Sequence, residues 1–167
     1  MKILVSNDDG IFSPGLIALA EVASQFGEVV IFAPYFSQSA MGHAITIKRP
    51  LTYHRVKFVK DFESYRVNGT PADCVAMGWY HLGEVDLVLS GINVGSNLGS
   101  DIWHSGTVAA AKQGVILGVQ SIAFSQVING EEPNYENQKP YVAEVIKMLT
   151  SRNHPRMVNV NLPEEAV

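Results

Sequence analysis

The stretch Ile3-Leu4-Val5-Ser6-Asn7-Asp8-Asp9-Gly10 runs three apolar residues straight into a polar turn that carries two adjacent carboxylates. An apolar run this short, closed by Asn, Asp and Gly, suits a fully buried strand, and the amphipathic stretch from Pro14 to Phe26 suits a helix beginning directly after it. Strand, loop and helix in that order put Asp8 and Asp9 at the carboxyl end of a parallel sheet, where open α/β folds bind their ligands. Two readings of the pair fit. In one, the Asp side chains bond backbone N–H groups of a simple turn, as Asx residues readily do. In the other, they hold a hard divalent cation that relieves the repulsion between neighbouring carboxylates.

Outward from this stretch, Glu28 to Ala33 reads as a second buried strand, closed by Pro34 and followed by the polar segment Tyr35 to Gly42. Strand, helix and strand form a βαβ unit whose right-handed crossover makes the strands parallel. Ser37, Gln38 and Ser39 therefore fall on the same sheet edge as Asp8 and Asp9. From His43 to Val67 the pattern alternates, as in Ala44-Ile45-Thr46-Ile47 and Val56-Lys57-Phe58-Val59, and predicts a small antiparallel insertion beside the main sheet. The insertion carries Lys48, Arg49, Arg55, Lys57, Lys60 and Arg66, which read as a solvated face.

Thr70-Pro71-Ala72-Asp73 has the order of a helix start, with Thr as N-cap, Pro at the first helical position and Asp at the third. The helix runs to about His81 to Gly83 and contains Cys74, the single cysteine, which reads as a small buried hydrophobe. A lone cysteine excludes a disulfide framework or a Cys-based zinc site within one chain. The strand Val85 to Ser90 then empties into a loop with glycines at 91, 95 and 99. No Gly-Lys-Ser/Thr follows, so the loop is neither a dinucleotide fingerprint nor a P-loop.

Ser105-Gly106-Thr107, ahead of a helix from Val108 to Leu117, offers hydroxyls and unpaired N–H groups that can cap the helix and bind an anion such as phosphate. A fourth strand, Ser121 to Phe124, leads into the long polar segment Gln126 to Lys139, which includes Asn129-Gly130 and Glu131-Glu132 and is expected to form a flap at the ligand edge. Pro140 is expected to open a last helix through Leu149, and Met157 to Asn161 to form a final strand closed by Pro163.

The 167 residues fit a single domain, 1–167, and 47% hydrophobic with 17% charged residues describe a globular chain. A net charge of −4 argues against an electrostatic grip on long nucleic acid. The five histidines, at 43, 54, 81, 104 and 154, lack zinc-site spacing. No apolar run reaches the length of a membrane span and Met1-Lys2 leads directly into a strand, so the expectation is a cytoplasmic chain without membrane contact.

Five motifs in order, Asn7-Asp8-Asp9-Gly10, Gln38-Ser39-Ala40, Gly69-Thr70-Pro71-Ala72-Asp73-Cys74, Ser90-Gly91-Ile92-Asn93-x-Gly95-x-Asn97-Leu98-Gly99 and Ser105-Gly106-Thr107-Val108-Ala109-Ala110-Ala111, resemble the survival protein SurE family of metal-dependent nucleotidases and acid phosphatases. The resemblance covers nearly the whole chain. It implies an α/β, Rossmann-like three-layer fold with a mainly parallel sheet, and hydrolysis of nucleoside monophosphates, at the 5′ or 3′ position, to nucleoside and phosphate. It implies one divalent metal ion, Mg²⁺ or Mn²⁺, on Asp8, Asp9, Ser39 and Asn93, with Asp8 and Asp9 catalytic and Asn97, Ser105, Gly106 and Thr107 around the phosphate. Two carboxylates, a hydroxyl and an amide oxygen are hard donors that suit such an ion, which would activate a bound water.

His104 stands where relatives often carry Tyr. Relatives also continue beyond Asn159-Val160-Asn161-Leu162-Pro163 into elements used for subunit exchange, so the family's dimer or tetramer is expected to lack those elements here. A phospho-accepting signalling receiver shares the acidic pair, but it needs an acceptor Asp and a later Lys where this chain has Ser90-Gly91 and Ser125-Gln126. A non-catalytic nucleotide-binding module is the other alternative.

Overall fold

The computed structural model describes residues 1–57, 61–128, 133–151 and 156–164. Their elements are β1 (Lys2–Ser6), α1 (Pro14–Ala23), β2 (Glu28–Pro34), β3 (Tyr53–Val56), β4 (Glu63–Val67), α2 (Pro71–Leu82), β5 (Leu87–Val94), a 3-10 turn at Gly99–Trp103, α3 (Gly106–Ile116), β6 (Gln120–Gln126), α4 (Tyr135–Thr150) and β7 (Met157–Leu162). One sheet runs β3-β4-β2-β1-β5-β6-β7, parallel throughout except for the β3–β4 pair. From β4 inward this is the doubly wound, Rossmann-like order, and the chain reverses its direction of travel between β1 and β5.

Alternation along the central strands builds the two faces of the sheet. Ile3 and Val5 join Leu16, Leu19 and Val22 of α1 and Val142, Ile146 and Leu149 of α4 in one apolar cluster, while Leu4 joins Val30, Phe32, Val88 and the α2 residues Cys74 and Val75 in another. Both faces are covered, which is why these strands read as unbroken apolar runs. Cys74 is fully buried, and burial pushes its thiol well above the usual range, in keeping with its reading as a hydrophobe. The small residues of α3 let it lie close on the sheet: a Cβ at Gly114 would stand 2.3 Å from Oγ of Ser121 and 2.9 Å from Val88.

Five expectations change. Ala44 to Ile47 is not a strand, because its backbone is taken by the start of α2: Thr46 N–H donates to Oδ1 of Asp73 at 3.0 Å and Thr70 Oγ1 donates to the Ala44 carbonyl at 2.7 Å. The antiparallel element is the edge strand β3 on β4, which itself lies parallel to β2 within the main sheet, and Phe58 and Val59 lie outside the described residues. Helix α4 opens at Tyr135, with Asn134 as its cap, and carries Pro140 inside it. Pro140 and Glu136 are both exposed, so water can serve the Glu136 carbonyl that proline leaves without a helical donor. Strand β5 extends through Gly91 to Val94, with a bulge between Ser90 and Asn93. The expected flap segment falls partly in α4, and its residues 129–132 lie outside those described.

Candidate active site at the sheet's switch point

The loop after β1 is organised by Asn7. This fully buried side chain donates to the Gly10 carbonyl and to Oγ of Ser13, both at 3.0 Å, and accepts from the Gly10 N–H at 3.2 Å. Ser13 in turn caps α1, accepting from Leu16 N–H at 3.2 Å, and Pro14 opens the helix. Asn7 thus supplies the turn chemistry that the sequence equally allowed the two aspartates.

Asp8 is 4% exposed and points at the start of α3. Its Oδ1 accepts the Thr107 hydroxyl, and the N–H groups of Gly106 and Thr107 lie near enough to the carboxylate to favour its charged form. Burial raises the Asp8 carboxyl above its usual range, and those donors at the helix N-terminus oppose the rise. The fit is tight: a Cβ at Gly106 would lie 2.6 Å from Cβ of Asp8 and 2.9 Å from its Oδ2. Asp9 has no comparable support. Its Oδ2 is buried with no hydrogen-bond partner, and burial, then the charge of Asp8, raise its carboxyl to about 6.

Two further loops are tied to this one. Gln38 N–H donates to the Asp8 carbonyl at 2.7 Å, and Ile11 N–H to the Pro34 carbonyl at 2.8 Å, which carries Ser39 to the acidic pair. Gly42 N–H then donates to the His104 carbonyl at 2.9 Å, joining the same loop to the segment ahead of α3. On the other side of the switch point, the bulge in β5 delivers Asn93. Its Nδ2 donates to the Gly95 carbonyl at 2.8 Å, which leaves Oδ1 as the amide atom available to a ligand.

Asp8, Asp9, Ser39, Asn93, Asn97 and Ser105 line one open cavity of about 290 Å³, together with Asp101 and His104. Gly106 and Thr107, expected around a phosphate, are buried and are not among the residues lining the cavity, and the Thr107 hydroxyl donates to Asp8. Ser105 caps α3 by accepting from Val108 N–H at 3.1 Å, so its hydroxyl proton remains available to the cavity. No sequence motif singles out Asp101 or Tyr135, which the fold brings to the site. The ring of Tyr135 packs where a Cβ on Gly15 would approach to 3.1 Å, and burial, followed by the charge of Asp9, pushes its phenol up to about 12.

Two carboxylates, a hydroxyl and an amide oxygen around an orphaned carboxylate atom fit a hard divalent cation. Among the described residues there is no group of three or more His, Cys, Asp or Glu that could hold a metal ion, so a cation here would rest on the two carboxylates together with the hydroxyl and the amide oxygen. No helix among them is long and apolar enough to cross a membrane.

A family model described as "Survival protein SurE" matches residues 3–167. The 5′-nucleotidase SurE 1 of Thermus thermophilus is 48% identical over 167 residues, covering 98% of this chain and 66% of that protein. The 5′-nucleotidase SurE of Deinococcus radiodurans is likewise 48% identical, covering 97% of this chain and 62% of its own length. The crystal structure of SurE protein from Aquifex aeolicus superposes with a TM-score of 0.89 at 40% identity, over 99% of this chain and 67% of that one. The chain spans about two thirds of the length of the curated relatives it matches.

Proposed function

The chain belongs to the SurE family, and from that membership we propose that it is a divalent-metal-dependent phosphomonoesterase that hydrolyses nucleoside monophosphates to nucleoside and phosphate. The observation that carries the proposal is Oδ2 of Asp9, buried without a partner in a cavity shared with Asp8, Ser39 and Asn93. An unpaired carboxylate oxygen beside a second carboxylate is costly unless a cation meets it. Asp8, Asp9, the Ser39 hydroxyl and Oδ1 of Asn93 would hold Mg²⁺ or Mn²⁺. When bound, the ion supplies Lewis-acid polarisation of the phosphoryl group and an acidified water.

The chain's own groups do the rest. Asp8, fixed by the first turn of α3, and Asp9 set the charge of the site and the position of the ion. Asn97 and the Ser105 hydroxyl donate to the phosphate oxygens, while the start of α3 at Gly106 and Thr107 holds Asp8. In this reading the phosphate occupies the cavity, the nucleoside extends from its open mouth, and the 167 residues act as one nucleotidase domain.

The test is turnover of a nucleoside monophosphate panel and a chromogenic phosphomonoester with Mn²⁺ or Mg²⁺, with and without chelator. Hydrolysis lost in chelator and restored by metal is the expected result. Undiminished turnover in excess EDTA overturns the metal assignment, and nucleotide binding without turnover identifies a sensing module instead.

A further inference from the structure

Asn97 is held from outside its own loop. The glycines flanking it, Gly95 and Gly99, have φ of +90° and +55°, so the chain on either side of Asn97 has little conformational preference of its own. Yet Asn97 is only 6% exposed, and its backbone and side-chain amide are bonded to the last two strands. Its N–H donates to Oδ1 of Asn161 at 2.8 Å, and its carbonyl accepts from Nδ2 of Asn159 at 2.9 Å and from Nδ2 of Asn161 at 3.3 Å. Its carboxamide nitrogen donates to Oγ of Ser125 on β6 at 2.8 Å.

These partners are in register. Asn161 pairs with Ser125 across β6 and β7, and Asn159 lies two residues earlier on the same side of the strand. Asn161 therefore addresses both polar atoms of residue 97 with one planar amide, and Asn159 reinforces the carbonyl. Asn159 keeps this bond although its own Oδ1 is buried without a partner, an arrangement unfavourable for strand stability alone. With the Ser125 contact fixing one N–H, the second N–H and Oδ1 of Asn97 are the groups left for the cavity that Asn97 lines.

We propose that Asn159 and Asn161 are positioning residues for phosphate recognition: through the backbone of Asn97 they orient its carboxamide toward the phosphate of the substrate, with Ser125 as the side-chain stop. They touch no reacting atom themselves. The inference rests on the reading of Asn97 as a phosphate contact, and it gives the Asn-Val-Asn stretch at 159–161 a role in substrate affinity and none in metal binding.

The experiment measures inorganic phosphate binding by calorimetry in saturating Mn²⁺, KM and kcat for a nucleoside monophosphate, the Mn²⁺ concentration for half-maximal rate, and thermal stability. The proteins are wild type, Asn159→Ala, Asn161→Ala, Asn97→Ala and the Asn97→Ala/Asn161→Ala double variant. Asn159→Ala deletes one donor and the orphaned acceptor together, so it should fold and guards against a collapse of Asn161→Ala. Each clamp variant should weaken phosphate binding and raise KM by about 10-fold, as the loss of one or two hydrogen bonds implies, with metal half-saturation unchanged.

In the double variant the phosphate affinity should equal that of Asn97→Ala alone, because the clamp acts only through that side chain. Additive losses in the double variant, or a metal half-saturation that moves with KM, would overturn the proposal. Unchanged phosphate affinity in both clamp variants would overturn it too. A wild-type protein that binds phosphate and loses it on clamp mutation, but hydrolyses no nucleotide, refutes the nucleotidase reading and leaves the clamp standing.

Discussion

The hydroxyl of Thr107, in the first turn of α3, donates to Oδ1 of Asp8 across 99 positions of sequence. A threonine hydroxyl has one proton, and here it is committed to a carboxylate of the acidic pair. Thr107→Ala should therefore act mainly on metal affinity and only indirectly on phosphate. A hydrogen bond to a charged group contributes about 1.5–3 kcal/mol, and the Gly106 and Thr107 N–H groups remain in place. The Mn²⁺ concentration for half-maximal rate should rise by about 10-fold, the lower end of that range, and Thr107→Ser should restore it. A change confined to KM for the nucleotide would place the hydroxyl on the phosphate instead.

Gly106→Ala tests the same contact by steric means. A helix-opening alanine normally gains a little stability by restricting the unfolded chain. Here the added Cβ would meet Asp8 at 2.6 Å and Cγ of Pro71 at 3.0 Å, and overpacking of that kind costs about 1–3 kcal/mol. The steric effect wins. The variant should melt lower than wild type, and its stabilisation by Mn²⁺ should shrink because Asp8 is displaced; a melting curve with and without metal reads both.

The parts of this architecture visible in the sequence are those fixed by local chemistry or by uniform burial. Ile3-Leu4-Val5 and Glu28 to Ala33 lie between two helical layers and read as apolar runs, and Thr70-Pro71-Ala72-Asp73 caps itself within four residues. What escaped depends on partners distant in sequence. Ala44 to Ile47 alternates like a strand, but its hydrogen bonds go to Thr70 and Asp73, 26 and 27 positions away. Pro140 resembles a helix opener, yet Asn134 had already capped α4. Ser105-Gly106-Thr107 reads as an anion site, and nothing local says that its first anion is the chain's own Asp8. Asn93 reads as a loop residue because Gly91 ends the apolar pattern, although a bulge carries the strand past it.

Asp73 joins two of these features and should matter for stability. It is 2% exposed; Oδ2 accepts from Thr70 N–H at 2.9 Å within the capping box, and Oδ1 accepts from Thr46 N–H. Asp73→Ala would remove both acceptors and leave the Thr70 N–H buried without a partner. The expected loss is about 2–3 kcal/mol by urea denaturation, from a lost cap contact and an unpaired donor together. A loss under about 0.5 kcal/mol, the range of ordinary surface substitutions, would show that the 43–52 segment does not depend on this carboxylate.

The acidic pair makes stability depend on pH in opposite senses with and without metal. In the metal-free protein Asp9 is raised from 3.8 to about 6, first by burial and then by the charge of Asp8, whose own carboxyl is also raised. Between about pH 4 and 6 the folded chain keeps protons that the unfolded chain has released, so these groups destabilise the fold progressively as pH rises; below that window their cost is absent, and above it the cost of Asp9 is fully present. A divalent cation reverses the trend, because it binds the ionised pair of the native state and competes with protons in acid. Mn²⁺ should therefore raise Tm more at about pH 7.5 than at about pH 5. Asp9→Asn isolates the effect from every other titrating group: in chelator at neutral pH it should melt above wild type, since a buried unpaired charge has gone, and in excess Mn²⁺ it should melt below wild type, since a ligand has gone. If Asp9→Asn melts below wild type in both conditions, the carboxylate is stabilising by itself and Asp9 is not held in reserve for a cation.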